Sequence, residues 1–249
     1  MNHIFVKGKR IRVRLENLDR HPITKDYHYI LKNALLTKLE QYDESLSVKA
    51  HDQWNTFFVF SGFLGKLWNT EIGLLFKSVE ISIASSDLDI IYGLSRAMVI
   101  DRFLYLGNVR LLVSQIKVED FHIPDGISSI DYETLGEIVI KKGEKTGITH
   151  HIDANDDIAK AIKETIERHS KATTGISGEI DVEVVSSVQK KRAIYKNSTL
   201  VNSFTALRLS FKVKADARVH EFLLTQGIGH HRKMGFGMLS VKRRGESTK

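Results

Sequence analysis

Cysteine is absent from this chain, and histidine, tyrosine and lysine are the residues considered for proton transfer. Disulfides, thiolate nucleophiles and cysteine-based zinc sites are thereby excluded. Eleven histidines are present, and an imidazole, with a reference pKa of ~6.5, both takes and gives protons near neutrality. Two histidine clusters occur, His150-His151-x-Asp153 and His230-His231. Neither has the i, i+4 spacing that places two zinc ligands on one helix face, so no metal and no cofactor is expected.

The second cluster lies inside the most specific stretch of the chain, Gly227 to Gly237 (GIGHHRKMGFG), followed by Met238, Leu239, Ser240 and Val241. Gly227, Gly229, Gly235 and Gly237 allow a backbone to come close to phosphates, and Arg232 and Lys233 supply charge at the tip. A dinucleotide-binding fingerprint is excluded. It wants glycine where Arg232 stands and a helix next, whereas a strand follows here.

Charge is concentrated in the same region. The net charge is +7, but residues 190–249 hold 14 Lys/Arg against Asp216, Glu221 and Glu246, which gives +11 and leaves −4 for the rest. A basic block on a nearly neutral body fits a polyanionic partner, and nucleic acid fits better than an anionic membrane because the basic residues do not share one amphipathic helix. Lys190, Lys191, Arg192 and Lys196 surround Tyr195 in what reads as a basic loop, offering charge for phosphates and a ring for base stacking. His230 and His231 are candidate RNA contacts beside them.

The first half reads as strand, helix, strand, strand, helix, strand. Ile11, Val13 and Leu15 alternate with Arg12 and Arg14; Pro22 precedes a helix capped by Asp26 that carries Ile30, Leu31, Ala34, Leu35 and Leu39. Phe57–Phe63 and the Val79, Ile81, Ile83 alternation read as strands. A helix opens at Ser86 with Asp89 in capping-box-like spacing and carries Ile90, Ile91, Leu94, Met98 and Phe103. A strand runs from Val109 to Val118. That βαββαβ order is the ferredoxin-like unit.

The second half repeats it less cleanly. The reading gives a strand from Glu137 to Ile140, a polar turn over 141–147, and a helix from Asp156 with Ile158, Ile162 and Ile166. Strands follow at Ile180–Val184 and Leu207–Val213, then a helix from Asp216 to Leu224 and a strand at Met238–Lys242. Pro124, Gly126, Ser128 and Ser129 mark a boundary. The expected fold is α+β, with tandem ferredoxin-like domains over residues 1–123 and 130–249. Five Lys/Arg in residues 1–14 are followed by no apolar run of signal-peptide or membrane-spanning length, so a cytoplasmic protein without a membrane partner is expected.

The terminal glycine motif, with a helix before it and a strand after it, resembles the glycine-rich loop of the RAMP superfamily of CRISPR-associated proteins. Asp26 to Leu35, then His51, then Phe57 to Ser61 (FFVFS) resembles the opening of the pre-crRNA processing endoribonucleases of that superfamily. The resemblance spans both ends of the chain. It implies RAMP-type (RRM-like) domains and metal-independent cleavage of CRISPR repeat RNA: the ribose 2′-hydroxyl attacks the adjacent phosphate and leaves a 2′,3′-cyclic phosphate and a 5′-hydroxyl.

That reaction needs a proton acceptor, a proton donor and positive charge at the phosphate. His51, ten residues before Ser61, matches the family histidine by position. Its neighbours Lys49 and Asp52 suit an exposed loop. The family tyrosine falls on Leu36, and no lysine follows His51 before Lys66, so Tyr42 and Lys49 are the substitutes. The departure leaves two functions open. One is a repeat-specific nuclease; the other is a non-catalytic RNA-binding subunit working with other CRISPR interference-complex proteins.

Overall fold

A computed structural model describes residues 6–25, 27–51, 58–123, 126–145, 148–175, 178–196 and 199–242. The proposed cap Asp26, the aromatic Phe57 and the turn pair Thr146-Gly147 lie outside them. The fold is α+β, with two main sheets.

The first sheet begins with β1 (Val6–Glu16), whose alternation buries Ile11, Val13 and Leu15. Two helices follow, α1 (Tyr27–Tyr42) and α2 (Glu44–His51), then the short buried strand β2 (Phe58–Phe60). A small hairpin, β3 (Trp68–Asn69) and β4 (Leu74–Leu75), precedes β5 (Ser78–Ser85). Helix α3 (Leu88–Ile100), β6 (Phe103–Leu106) and β7 (Val109–Ile123) complete this half. The sheet order is β2-β5-β1-β7-β6. Leu31, Leu35 and Leu39 of α1 and Ile90, Ile91, Leu94 and Met98 of α3 seal its inner face.

The second half runs through β8 (Ile127–Thr134), the hairpin β9 (Lys141–Lys145) and β10 (Ile148–His151), and α4 (Ile158–Thr174). The long strands β11 (Asp181–Lys196) and β12 (Thr199–Asp216) follow, then α5 (Ala217–Gln226), a 3-10 turn (Arg232–Met234) and β13 (Leu239–Val241). The sheet order is β11-β12-β8-β13. Its core gathers Tyr132 and Phe211 with Ile158, Ile162 and Ile166 of α4 and Phe222 of α5. In both sheets the four main strands lie in the same spatial order: second, third, first, fourth.

Several sequence expectations are corrected. Asp87, not Ser86, caps α3, because its carboxylate accepts the Asp89 N–H at 2.9 Å. Phe103 lies beyond that helix, which ends at Ile100 and gives way to β6. Asp157, not Asp156, caps α4; the Asp156 carboxylate is engaged by Lys142 and the Asp153 N–H. The serine- and glycine-marked boundary is partly strand: β8 starts at Ile127 and pairs with both β12 and β13. Glu137–Ile140 forms only isolated bridges, Ile138 to Leu207 and Val139 to His230. Lys141–Lys145 is a strand, not a turn. The basic stretch at 190–196 is no loop either, since β11 pairs with β12 from Asp181 to Lys196, with register shifts between Val184 and Ser186 and between Ile194 and Tyr195.

The halves are packed together. Helix α5 lies against β1, β5 and β2, and Val59, Ala84, Met238 and Leu135 form a small shared core. Arg10 on β1 donates through Nη2 to the Leu239 carbonyl oxygen at 2.5 Å, although only 5% of the residue is exposed.

Candidate nucleic-acid interface

A cleft of about 530 Å³ opens beside the glycine-rich loop. Gly235 and Phe236 of the loop and Gly136 and Glu137 form its centre, α1 contributes Tyr27 and His28, and β11 and β12 contribute Lys190, Lys191, Arg192 and Arg208. Lys25 lines it too. Five cations and one carboxylate thus line the cleft.

That carboxylate is buried and fully engaged. Arg192 grips Glu137 through Nε at 2.7 Å and Nη2 at 2.5 Å, and the Lys190 ammonium stands 3.7 Å away. Burial pushes the Glu137 pKa up, but Arg192, Lys190 and Arg208 together hold it below the ordinary carboxylate value. Lys191 and Arg208 are exposed. Arg208 reaches the Gly136 carbonyl oxygen through Nε at 3.4 Å.

The floor is aromatic. Tyr27 stacks on Phe63 at 4.1 Å and on His28 at 4.4 Å, His28 stacks on Phe236 at 4.8 Å, and Phe236 meets Phe204 edge-on at 5.3 Å. The Tyr27 hydroxyl accepts the Phe63 N–H at 2.9 Å, and burial raises its pKa to about 12. Burial depresses the His28 pKa to about 4, so this imidazole is neutral at physiological pH, with Nδ1 sealed against the loop.

The glycine loop works differently from its sequence reading. Gly227, Gly229, Gly235 and Gly237 all have positive φ, and all four are buried. A Cβ on Gly235 would stand 2.9 Å from His28 Nδ1 and from Phe60, and one on Gly227 would stand 2.5 Å from the Gly237 carbonyl oxygen. These glycines make the turn and its packing, and Gly235 also lines the cleft. Arg232 is not at a tip either. It lies over the Phe222 ring at 5.9 Å, its Nη1 reaches the Gln226 carbonyl oxygen, and burial lowers its pKa to about 10. The Lys233 ammonium is buried as well. His231 takes a left-handed backbone (φ 58) and stacks on Phe204, and His230 is exposed.

Of the basic set from the sequence, the cleft brings together Lys190, Lys191 and Arg192. Lys196 ends β11, and its side chain lies outside the described residues. Tyr42, Lys49 and His51 are elsewhere, on the helical layer. Tyr42 ends α1 and accepts a hydrogen bond from Arg96 of α3 at 3.1 Å. Lys49 pairs with Asp87, the α3 cap, and that contact raises its pKa. His51 is exposed at the end of α2, on a helix where a loop was expected.

The sequence reading missed Lys25, His28, Glu137 and Arg208. His28 lay within the Asp26–Leu35 segment already singled out, and Arg208 was read only as the polar side of an alternating strand. Nothing local distinguished Glu137. Among the described residues, no group of three or more His, Asp or Glu is placed to hold a metal ion, and no helix is long and apolar enough to cross a membrane.

Residues 124–241, which include Glu137, the basic face of β11 and β12 and the whole glycine loop, match the family model for the C-terminal part of the CRISPR-associated protein Cas6. The chain carries a Cas6 C-terminal domain. Solved structures extend the likeness to the whole fold. A structure of CRISPR-associated protein Cas6 is 21% identical over 95% of this chain and 100% of its own, with a TM-score of 0.73. A Cas6-related protein from Pyrococcus furiosus gives 19%, 95%, 99% and 0.78 for the same measures. A RAMP protein described as binding different RNA substrates gives 18%, 94%, 100% and 0.76. Among curated proteins, none matches this chain by sequence.

Proposed function

We propose that this Cas6-family protein binds CRISPR repeat RNA across the basic cleft and cuts it to give guide RNAs. The observation that carries the reading is the cleft itself: Lys25, Lys190, Lys191, Arg192 and Arg208 line it together with Glu137, which Arg192 already pairs. A field of this sign concentrates a polyanion, and each phosphate neutralised releases counterions. The shared strand order supports reading the halves as tandem ferredoxin-like domains over residues 1–123 and 130–249. A cytoplasmic location fits such a substrate.

The cleavage proposed is metal-independent. The 2′-hydroxyl at the scissile position attacks its own phosphate and the 5′-oxygen leaves, which yields a 2′,3′-cyclic phosphate and a 5′-hydroxyl. His51 is the proposed proton-transfer group, exposed at the end of α2 beside Lys49. Solved Cas6 structures include a product complex and a substrate-mimic complex, which supports a nucleic-acid role for this fold.

A second reading, a non-catalytic RNA-binding subunit of an interference complex, is favoured by one observation. Tyr42 and Lys49 are engaged with α3 through Arg96 and Asp87. Incubation of purified protein with a repeat RNA in EDTA decides between them. A product ending in a cyclic phosphate supports the nuclease; tight binding with intact RNA supports the subunit; neither binding nor cleavage sinks both.

A further inference from the structure

The cleft has two kinds of lining. Lys25 apart, its cations all come from β11 and β12 in the second half of the chain. The β3–β4 hairpin of the first half supplies something else. Leu67, Asn69 and Leu74 line the cleft, while Trp68 does not. Alternation accounts for this, since residues 67 and 69 fall on one side of the chain and 68 on the other. Across the hairpin, Asn69 pairs with Leu74.

The hairpin is firmly held. Ile23 N–H donates to the Leu74 carbonyl oxygen at 2.9 Å, and Leu74 N–H donates to the Ile23 carbonyl oxygen at 2.7 Å. Thr70 closes the turn: its N–H and its hydroxyl both donate to the Gly73 carbonyl oxygen, at 2.8 and 2.9 Å. A Cβ on Gly73 would collide with the Ile23 carbonyl oxygen, so glycine lets the hairpin dock this closely. Leu67 and Leu74 also pack against the core of the first half. Asn69 is therefore presented from a fixed support.

Among the described residues, three neutral polar side chains line the cleft. The Tyr27 hydroxyl accepts the Phe63 N–H, and His28 Nδ1 is sealed against the loop. Asn69 is exposed, and its amide sets a donor beside an acceptor. That pair matches the edge of a base, the two leucines match its face, and the cations match its phosphates. The volume of about 530 Å³ suits one small ligand, for which sites of ~300–1,000 Å³ are usual. In a duplex the pairing edges of the bases are already taken.

We infer that Asn69 reads the base of one unpaired nucleotide of the repeat RNA, seated against Leu67 and Leu74, with its phosphates on β11 and β12. The inference rests on the RNA-binding reading of the cleft and adds to it a residue that sets specificity. The amide oxygen accepts a base N–H, and the amide N–H donates to the acceptor beside it. Adenine meets both, through its N6 amino group and N7.

The test measures affinity for repeat RNAs in which each position is changed in turn to each base. It compares the parent, Asn69→Ala, Asn69→Asp and a cleft pair, Lys191→Ala with Arg208→Ala; all three positions are exposed. In the parent, one position should prefer adenine about tenfold, the scale of one bidentate base contact. Asn69→Ala should level that position and keep the salt slope. Asn69→Asp, with acceptors alone, should turn the preference towards guanine, whose N1–H and N2–H donate side by side. The cleft pair should weaken every RNA alike and flatten the salt slope. Parent-like base preference in both Asn69 variants, with the cleft pair impaired, overturns base reading and leaves the RNA reading intact. Equal weakening of every RNA by the Asn69 variants overturns it too, because a merely distorted hairpin would do that. A cleft pair that binds like the parent at every salt concentration removes RNA from the cleft, and base reading falls with it.

Discussion

Arg192 holds Glu137 through two parallel hydrogen bonds at the centre of the cleft, with the carboxylate 8% and the guanidinium 40% exposed. Truncating Arg192 to Ala leaves a largely buried carboxylate to desolvate. It should cost about 1–3 kcal/mol of stability, while the Glu137→Gln, Arg192→Ala double variant should cost less than the sum of the singles. Because the folded pKa of Glu137 is depressed, its contribution is present above the unfolded carboxylate pKa and lost as pH falls through the folded value. Urea unfolding at neutral and acidic pH measures both effects. An Arg192→Ala penalty unchanged in acid would mean the pair is energetically silent.

Half-buried histidines should make the fold acid-sensitive earlier than its carboxylates do. His28 and His231 have pKa values lowered to about 4, and His169 to about 3. The unfolded chain takes up protons at these sites below ~6.5 and the folded one does not. Stability should therefore hold above that pH and fall between it and pH 4. His28→Gln should shallow the decline in the urea midpoint. A midpoint flat from pH 7 to pH 5 contradicts the sealed environment of these rings.

Gly235 combines φ 82 with a Cα that faces His28 and Phe60. Gly235→Ala should lower stability by more than ~1 kcal/mol, from backbone strain and overpacking together. RNA affinity measured on the folded fraction should stay near the parent's. Thermal melts with parallel binding curves check this. A fully stable variant that no longer binds would return the glycine to ligand contact.

His51→Ala should slow single-turnover cleavage at least ~100-fold, the scale of lost acid–base catalysis, with RNA affinity within a few-fold. Unchanged cleavage removes His51 from the mechanism.

The elements were legible where periodicity was strong. Ile11, Val13 and Leu15 announced β1, and Ile158, Ile162 and Ile166 announced α4. Residues 127–134 hid because turn-forming Gly126, Ser128 and Ser129 precede the inward Tyr132 and Thr134, and pairing on both edges overrides local preference. The stretch at 190–196 looked like a loop because charge signals solvent. An edge strand tolerates it, since β11 pairs only with β12 and one of its faces lines the cleft. The glycine motif was found, but its packing role was not legible, for spacing records where φ is positive and not which way a Cα faces. Glu137 could not be found at all, because its partner is 55 residues distant.

The stacked rings from Phe63 through Tyr27 and His28 to Phe236 tie α1 to the loop beneath the cleft, and each such pair adds about 0.5–1.5 kcal/mol beyond its buried area. Widening the cleft would mean prising that column apart, along with the Arg10–Leu239 bond and the core shared by Val59 and Met238. The banks are thus a fixed gauge. An RNA bound as proposed should therefore be sorted by its girth, and the empty and loaded protein should keep the same outline in solution scattering.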